Sequence, residues 1–467
     1  MKRLLVFLAL CLFPSIVLAY PTVFPHGVTI YKPEKCWNGY TVLAKVLPRT
    51  PGQMPTGYGV PLIDMNGNIV HEWKNVLGFP SKILPGGRLM GGLIKKNTVG
   101  VDIDVVAQFD FKGNIEWQWD KAEEIEVKGP DGKVEKIWSA RQHHDVQREP
   151  NPVGYYAPGL DPFVDKGKTL IAGRGLGKDN NERLMEVSWD GKIIWDFFGK
   201  DHTDEVITTA RAGMKYWGGN VASWLGPNKW YDQGDERFHP DNIIMDNYND
   251  TIFIISKKTS KVVWQVGPDF SKYPQLAKLG MNRTEFLGPF YGGFVGGMLH
   301  YAHMIPKGLP GEGNILVFNN GMPYSLVTEF NPVTLEIVWE YSGIELGYAE
   351  SHGLAHKFFS PTISSAQRLP NGNTLICEGD GGRIFEVTKD LEIVWEYIYP
   401  VYDWTGLGGA VEGFKQKRIG KSNMVYRAYR VPYDWVPQLK KPVERAVIPP
   451  PLEKFRIPAQ PVKAKKK

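Results

Sequence analysis

Short runs of alternating apolar and polar residues recur along the chain in pairs, and a polar turn separates the two runs of each pair. Alternation with a period of two places apolar side chains on one face of a strand, and Gly, Asp, Asn or Lys between two such runs is typical of a hairpin. The second run of each pair ends in an aromatic residue. The pattern predicts six β-hairpins: LIDMNGNIVHEW (62–73), AQFDFKGNIEWQW (107–119), LMEVSWDGKIIWDF (184–197), IFIISKKTSKVVWQV (252–266), LVTEFNPVTLEIVWEY (326–341) and IFEVTKDLEIVWEY (384–397).

A second module lies upstream of most hairpins and consists of a Gly-containing turn followed by a short apolar strand. It occurs as LPGGRLMGGL (84–93), KGKTLIAGRG (166–175), GEGNILVFNNG (311–321) and LPNGNTLICEG (369–379). Six units of about four antiparallel strands, with no long amphipathic helix, predict an all-β fold and a six-bladed β-propeller. GPDGKVEKIW (129–138) is interpreted as an insertion rather than a seventh blade. An array of β-sandwiches is the alternative architecture.

The first strand of a propeller blade lines the central axis, and three of the stretches expected there contain histidine. These are RQHHDVQREP (141–150), RFHPDNIIMD (237–246) and LHYAHMIPKG (299–308), whereas FPSKILP (79–85) and SPTISSAQRLP (360–370) hold the same place without histidine. We therefore expect three histidines to converge at one end of the central channel and to form the active site. They are His143 or His144, His239, and His303 or His300.

The two ends of the chain differ in composition from its body. Residues 1–19 begin with Lys2 and Arg3, continue as an apolar run and end at Ala19, which is typical of a secretory signal peptide. A membrane anchor is the alternative, but the run is short and contains Pro14. We predict a signal peptide at 1–19, a propeller at 20–440, a Pro/Lys-rich tail at 441–467, and a periplasmic or secreted protein with no membrane span.

Net charge bears on the kind of partner, and cysteine content bears on possible disulfides. The formal net charge is +5, and lysines in the leader and in the final KAKKK contribute to it, so the body is nearly neutral. A nearly neutral body argues against a nucleic-acid partner. After export the chain keeps Cys36 and Cys377, which either pair in an oxidising compartment or remain separate buried thiols.

Several stretches resemble the bacterial arylsulfate sulfotransferase family, and together they extend from about Gly27 to Pro437. They are HGVTIYKPEKCWNGYTVL (26–43), HHD (143–145), HPDN (239–242), GNILVFNNG (313–321) with the histidine upstream of it, SAQRLPNGNTLICEGDGGRIFEV (365–387) and NMVYRAYRVPYDWVP (423–437). The resemblance implies a six-bladed propeller and a ping-pong transfer without metal or nucleotide cofactor. A histidine takes the sulfuryl group from a phenolic sulfate and passes it to a phenol acceptor.

The resemblance to this family implies roles for individual residues. His303 matches the nucleophile, and His144 and His239 match its flanking catalytic histidines. The substrate-binding residues that the resemblance and the motifs indicate are His143, Asn242, Lys257 and Asn320. These residue types suit the reaction, because neutral imidazole is a good nucleophile near neutral pH and cationic donors stabilise sulfuryl oxygens.

The chain departs from the family pattern in three places. The family has His and Asn two positions apart, whereas HPDN places Asn242 three positions after His239, so Asp241 is the alternative. Lys257 or Lys258 stands where the family has Arg, and Lys lacks the bidentate fork of a guanidinium. Some members carry an N-terminal β-domain, but only residues 20–26 precede the GVTIY motif here.

Two other functions fit the same residues. Converging imidazoles also bind Zn, Cu or Fe, as in a metal- or quinone-dependent oxidoreductase or lyase. A propeller can also be a binding module without catalysis. Neither the natural substrates nor the oligomeric state follows from the sequence.

Overall fold

Six antiparallel sheets of four or five strands form a ring around one axis in the computed structural model of the protein, which confirms the predicted six-bladed β-propeller. The structure describes residues 26–45, 58–96, 102–129, 131–175, 181–203, 205, 218–247, 251–267, 299–321, 324–345, 357–401 and 423–449. The predicted signal peptide and the last part of the predicted tail lie outside these residues.

The first third of the chain forms two blades and one insertion. After β1 (Gly27–Tyr31) and a 3₁₀ turn (Pro33–Lys35), blade 1 contains β2 (Tyr40–Ala44), β3 (Gly59–Ile63) and β4 (Ile69–Lys74). Blade 2 contains β5 (Leu77–Leu84), β6 (Arg88–Leu93), β7 (Val105–Phe109) and β8 (Ile115–Trp119). The hairpin of β9 (Glu123–Lys128) and β10 (Val134–Ser139) is a separate two-stranded sheet, which confirms the insertion.

The remaining blades repeat the same up-and-down order. Blade 3 contains β11 (Gln142–Arg148), β12 (Thr169–Arg174), β13 (Glu182–Val187) and β14 (Ile193–Phe198), and blade 4 contains β15 (Gly219–Trp224), β16 (Ile243–Asn247), β17 (Ile252–Ser256) and β18 (Lys261–Val266). Blade 5 contains β19 (Leu299–Met304), β20 (Ile315–Asn319), β21 (Leu326–Phe330) and β22 (Ile337–Ser342), and blade 6 contains β23 (Ser365–Arg368), β24 (Thr374–Glu378), β25 (Arg383–Val387) and β26 (Ile393–Ile398). Short helical turns lie at Gly199–His202, Lys229–Asp232, Glu236–Phe238, Gly379–Gly381 and Tyr433–Trp435.

Both ends of the described chain close the ring. The last strand, β27 (Arg427–Val431), pairs with β2 and is the innermost strand of blade 1. At the other end, β1 adds a fifth strand to blade 6 by pairing with β26. Tyr31 and Val447 exchange two backbone hydrogen bonds, so residues of the predicted tail also pack on the propeller.

A tryptophan at or near the end of five predicted hairpins connects neighbouring blades. At five of the six blade interfaces, a tryptophan of one fourth strand donates its indole N–H to a backbone carbonyl in the turn between the third and fourth strands of the next blade. The pairs are Trp73 with Asp110, Trp117 with Trp189, Trp264 with Pro332, Trp339 with Lys389, and Trp395 with Met65, at 2.9–3.0 Å. The recurrent aromatic of the sequence pattern is thus a contact between blades.

The structure answers the question left open about the two cysteines. Cys36 and Cys377 are separate thiols rather than a disulfide. The Cys36 thiol faces the carbonyl of Val394 at 3.4 Å, and that of Cys377 faces the carbonyl of Val425 at 3.7 Å. Within the described ranges, no helix has both the length and the apolar character needed to cross a membrane.

We predict that Trp73→Phe lowers the free energy of unfolding by about 1–2 kcal/mol, because the carbonyl of Asp110 loses its indole donor. Trp138→Phe is the matched control, since the Trp138 side chain is 52% exposed on the β9–β10 insertion. Urea unfolding measures both variants. Equal stability of the two variants would contradict the role given to the indole at the blade interface.

Candidate functional site at the propeller axis

The innermost strands β5, β11, β15 and β19 each contain a β-bulge, where the register with the next strand shifts. A bulge adds unpaired residues to one strand and changes the direction of its side chains. His144 in β11 and Tyr301 in β19 have φ angles of 65° and 59°, which residues other than Gly rarely adopt. The histidine-containing stretches at 141–150 and 299–308 therefore lie on the axis as predicted, with locally irregular backbone.

His300 of blade 5 corresponds to the His143–His144 pair of blade 3. Counted back from Gln147 and His303, which pair with the second residue of the neighbouring strand, His300 matches His144; counted on from Gln142 and Leu299, which pair with its fifth residue, His300 matches His143. The repeat therefore matches His300 with the histidine pair, whereas His303 matches Gln147. His300 is a buried residue of β19.

Burial and positive neighbours keep His144 neutral. Burial lowers its pKa well below the usual value, and the charges of His143, Arg174, His300 and Arg427 lower it further. The His144 ring packs against Phe79 with ring centroids 5.2 Å apart. Its backbone carbonyl accepts a hydrogen bond from the Tyr426 hydroxyl at 3.2 Å.

His143 belongs to an ion network beside His144. Its Nδ1 lies 3.2 Å from Oδ1 of Asp102, and its Nε2 lies 2.9 Å from the guanidinium of Arg174. A guanidinium only donates, so Nε2 carries the lone pair and Nδ1 carries the proton. Burial alone would raise the pKa of Asp102, but the hydrogen bond from His143 and the charges of Arg174 and Arg141 outweigh it and lower the pKa. His143 therefore positions Arg174, which leaves His144 as the reactive candidate of the pair.

Asn320 fixes the tautomer of His300. The Asn320 amide nitrogen donates to the carbonyls of Ser360 at 2.6 Å and Ile363 at 3.0 Å, so its oxygen is the atom that faces Nδ1 of His300. Nδ1 must then carry the proton, and Nε2 carries the lone pair. Burial lowers the pKa of His300 to about 3, so the ring is neutral. Asn320, predicted to bind substrate, has its amide engaged within the protein and orients this histidine.

His303 lies deeper and has both ring nitrogens engaged. Its Nδ1 lies 2.8 Å from the carbonyl of Tyr301 and therefore donates, and its Nε2 accepts from the Tyr155 hydroxyl at 2.9 Å. Burial lowers the pKa of His303 to about 4. The predicted nucleophile thus carries its proton on Nδ1, as a nucleophilic Nε2 requires. The Nε2 lone pair, however, already accepts the hydrogen bond from the Tyr155 hydroxyl.

A buried ion cluster surrounds the axis beside these histidines. Asp145, the residue after His144, accepts from Lys82 at 2.7 Å and from Arg427 at 3.1 Å. The Lys82 ammonium also donates to the Gln147 side chain at 2.7 Å, and burial lowers its pKa to about 8. Arg427 further donates to the Asn220 carbonyl and lies over the ring of Tyr301 at 4.5 Å. The innermost strands of five blades, 1 to 5, contribute to this cluster.

The segment 151–160, here called the axial plug, covers the axis at the end where the innermost strands terminate. Tyr155 bonds His303 of blade 5, and the carbonyl of Val153 accepts from the Tyr301 hydroxyl at 2.6 Å. Gly154 lies against Lys82 of blade 2, where its φ of 78° and the nearby Lys82 side chain exclude a larger residue. The plug therefore contacts opposite sides of the ring.

The structure corrects the placement of three predicted site residues. The innermost strand of blade 4 is β15, so the prediction for 237–246 is wrong; His239 lies in the loop between β15 and β16. There His239 packs on Tyr231, with ring centroids 4.8 Å apart, and accepts from the backbone of Asp241 at 3.2 Å. Within the described part of the chain, these contacts of His239 do not include an axial histidine. An inserted helical turn after β15 displaced the histidine from the strand.

Asn242 and Lys257 are likewise away from the axis. The Asn242 amide closes the same loop through the carbonyl of Arg237 at 3.0 Å, and its oxygen accepts from the backbone N–H of Lys257 at 3.1 Å. The Lys257 ammonium forms an ion pair with Glu186 of blade 3. Both residues stabilise the outer part of blades 3 and 4, and neither contacts the axial cluster in the part of the chain that the structure describes.

Sequence reasoning assigned no role to Lys82, Asp102, Arg174 and Arg427, although all four contact the axial histidines or the residue next to them. The available signal was a charged residue within an otherwise apolar strand, as in FPSKILP and VYRAYRV. Charged groups are almost never fully buried without a partner, so such positions indicate a buried ion cluster. Among the described residues, no group of three or more His, Cys, Asp or Glu is arranged to hold a metal ion.

Comparisons with known proteins indicate only the fold. No protein-family profile and no curated protein matches the chain. A protein of unknown function from Bacteroides caccae is 11% identical, covers 84% of this chain and 99% of its own, and has a TM-score of 0.41. The WD40 β-propeller domain of Doa1 (9% identity, 72% and 71% covered, TM-score 0.33) and streptogramin B lyase (12%, 70% and 73%, 0.31) are also similar. Values this low carry no inference about function.

We predict that the contribution of His303 to stability decreases as the pH falls from about 6.5 to 4. An unfolded histidine protonates near pH 6.5, whereas burial keeps folded His303 neutral down to about pH 4, so the unfolded chain binds more protons in this window. Stability from this residue is complete above pH 6.5 and decreases by roughly 3 kcal/mol towards pH 4. Urea unfolding at several pH values should give a shallower slope for His303→Gln, and an unchanged slope would contradict a neutral buried ring.

Proposed function

We propose that this chain transfers a sulfuryl group from a phenolic sulfate ester to a phenol through a histidine of β19. The observation that carries the proposal is His300, a neutral imidazole whose Nδ1–H is held by Asn320 and whose Nε2 therefore has the lone pair. It shares the axis with His144, and the positive charge of Arg427 acts on both rings. A neutral nucleophile beside guanidinium groups suits an anionic sulfate ester.

The chemistry follows from this arrangement. Nε2 of His300 attacks sulfur, an N–S bond forms, and the S–O bond to the phenol breaks. The imidazole becomes a cation that keeps its Nδ1–H, and the Asn320 oxygen stabilises that charge. Arg174 and Arg427 stabilise the sulfuryl oxygens. A phenol acceptor then attacks the same sulfur and restores the neutral ring.

The contacts favour His300 over His303 as the nucleophile. His303 was selected by resemblance, but its Nε2 already accepts from Tyr155 and the ring is fully buried. His300 is the residue that the repeat matches with the His143–His144 pair. His144 is a neutral ring beside His300, so in this proposal it contacts and orients the donor.

The axial plug leaves one end of the axis for the substrates. Because residues 151–160 lie against the other end, donor and acceptor share an entrance. A sulfuryl group held on the protein lets the first phenol leave before the second one binds, which is a ping-pong sequence. The same architecture needs no resident cofactor to carry the group.

The test is turnover of 4-nitrophenyl sulfate with and without an added phenol. We expect His300→Ala to lower kcat by about 10³-fold or more, because no other group replaces the covalent step, and His303→Gln to lower it less than tenfold. His202→Gln is the control, since His202 pairs with Glu205 outside the axis and should keep full activity.

Three results would count against the proposal. No turnover by the unmodified chain, with tight binding of the aryl sulfate, would indicate a binding module. Turnover that depends on a metal found in the purified protein would indicate the metal-dependent alternative. Full activity of His300→Ala together with loss of activity in His303→Gln would indicate that His303 is the nucleophile.

A further inference from the structure

Sulfuryl transfer between phenols also needs a proton to move, which the histidines do not supply. A poor leaving group departs as phenol only if it receives a proton, and the acceptor phenol loses one in the second step. The pKa values of His144 and His300 are lowered by burial, so both rings are neutral and neither is an acid at neutral pH. The following inference rests on the proposed function and concerns the group that exchanges this proton.

Glu182 is a buried carboxyl group at the start of β13, directly opposite Arg174 in the register of β12 and β13. Its Oε2 accepts from the backbone N–H of Gly219, the first residue of the innermost strand of blade 4, at 3.2 Å. Its Oε1 is buried and has no hydrogen-bond partner among the residues that the structure describes. Arg174 in turn binds His143, so Glu182 lies at the edge of the axial site.

The environment of Glu182 favours its protonated form. Burial raises its pKa to about 8, and the charges of Asp102 and Asp246 act in the same direction. Arg174 and the Gly219 N–H oppose the shift but do not cancel it. A carboxylic acid with one oxygen free of protein partners has an O–H to donate, and a pKa near neutrality allows it to give and recover a proton.

Other acidic or cationic groups near the axis are engaged by the protein. Both carboxyl oxygens of Asp246 accept backbone N–H groups, from Asn220 at 2.9 Å and from Ala302 at 3.1 Å. The Lys82 ammonium donates to Asp145 and Gln147. Asp102 forms ion pairs with its three basic neighbours on blade 3 and is ionised.

We propose that Glu182 is the acid–base catalyst of the transfer. In the first step its O–H protonates the phenolic oxygen as the S–O bond breaks, so a neutral phenol leaves and Glu182 becomes a carboxylate beside Arg174. In the second step this carboxylate takes the proton of the acceptor phenol as the new S–O bond forms. One proton leaves Glu182 and one returns, so the cycle balances without a further reactant.

The test compares two leaving groups in Glu182→Gln, which keeps the shape of the side chain and cannot donate an acidic proton. 4-Nitrophenolate is a good leaving group that needs no proton, whereas 4-methylphenolate is a poor one. In the first step, measured without acceptor as the initial release of phenol, we expect the variant to release 4-nitrophenol within about twofold of the unmodified chain and 4-methylphenol at least about tenfold more slowly. Since the first step needs the acid form, the 4-methylphenyl sulfate rate should fall above about pH 8 in the unmodified chain, and the variant should lose this limb.

Glu340→Gln is the matched control, because Glu340 is also a partly buried glutamate with a raised pKa but lies on β22 and bonds Thr328. An equal loss on both substrates in Glu182→Gln, or no loss on either, overturns the inference and leaves the proposed function intact. A wild-type chain without turnover of either substrate overturns both. If Glu182→Gln does not fold, Glu182→Asp takes its place, and the inference requires a selective loss on 4-methylphenyl sulfate that is smaller than tenfold.

Discussion

A buried ion cluster at the axis, in which Asp145 lies between Lys82 and Arg427, is the interaction on which the rest of the structure depends. These three ionic side chains come from the innermost strands of blades 3, 2 and 1. Those of Asp145 and Arg427 are fully buried. Removing one partner of a buried ion pair leaves an uncompensated charge and costs about 3–5 kcal/mol. Arg427 lies on the last strand, β27, which closes the ring by pairing with β2. The ion cluster is therefore complete only when the ring is closed. The positive groups of the site are therefore assembled only in the closed propeller.

This cluster determines the chemistry of the neighbouring histidines. The residue before Asp145 is His144, which lies within the bulge of β11 and close enough to His300 for the two rings to interact electrostatically. Desolvation and the nearby charge of Arg427 keep both rings neutral, so the site presents imidazole lone pairs within a positive surrounding. That combination is suited to an anionic ester with an electrophilic centre, as our proposal requires.

The fold was predictable because period-two alternation and hairpin turns recur six times, and a tryptophan at or near the end of five hairpins has a repeated role between blades. The site was only partly predictable. Position in the repeat left His300 and His303 open and the resemblance selected His303, whereas the pairing matches His300 with the His143–His144 pair. The loop inserted after β15 carries His239 away from the axis, and no local pattern distinguishes that loop from a strand. Lys257 is paired with Glu186, a contact between blades that only the three-dimensional structure reveals.

The most direct test of the account is to identify the residue that holds the sulfuryl group. The protein is mixed with 4-nitrophenyl sulfate in the absence of acceptor, stopped within one turnover and fragmented for mass spectrometry. The account predicts one added sulfuryl mass on His300, which disappears when a phenol is added before the reaction is stopped. A sulfuryl group on His303 or outside β19, or full release of 4-nitrophenol with no modified chain, would contradict it.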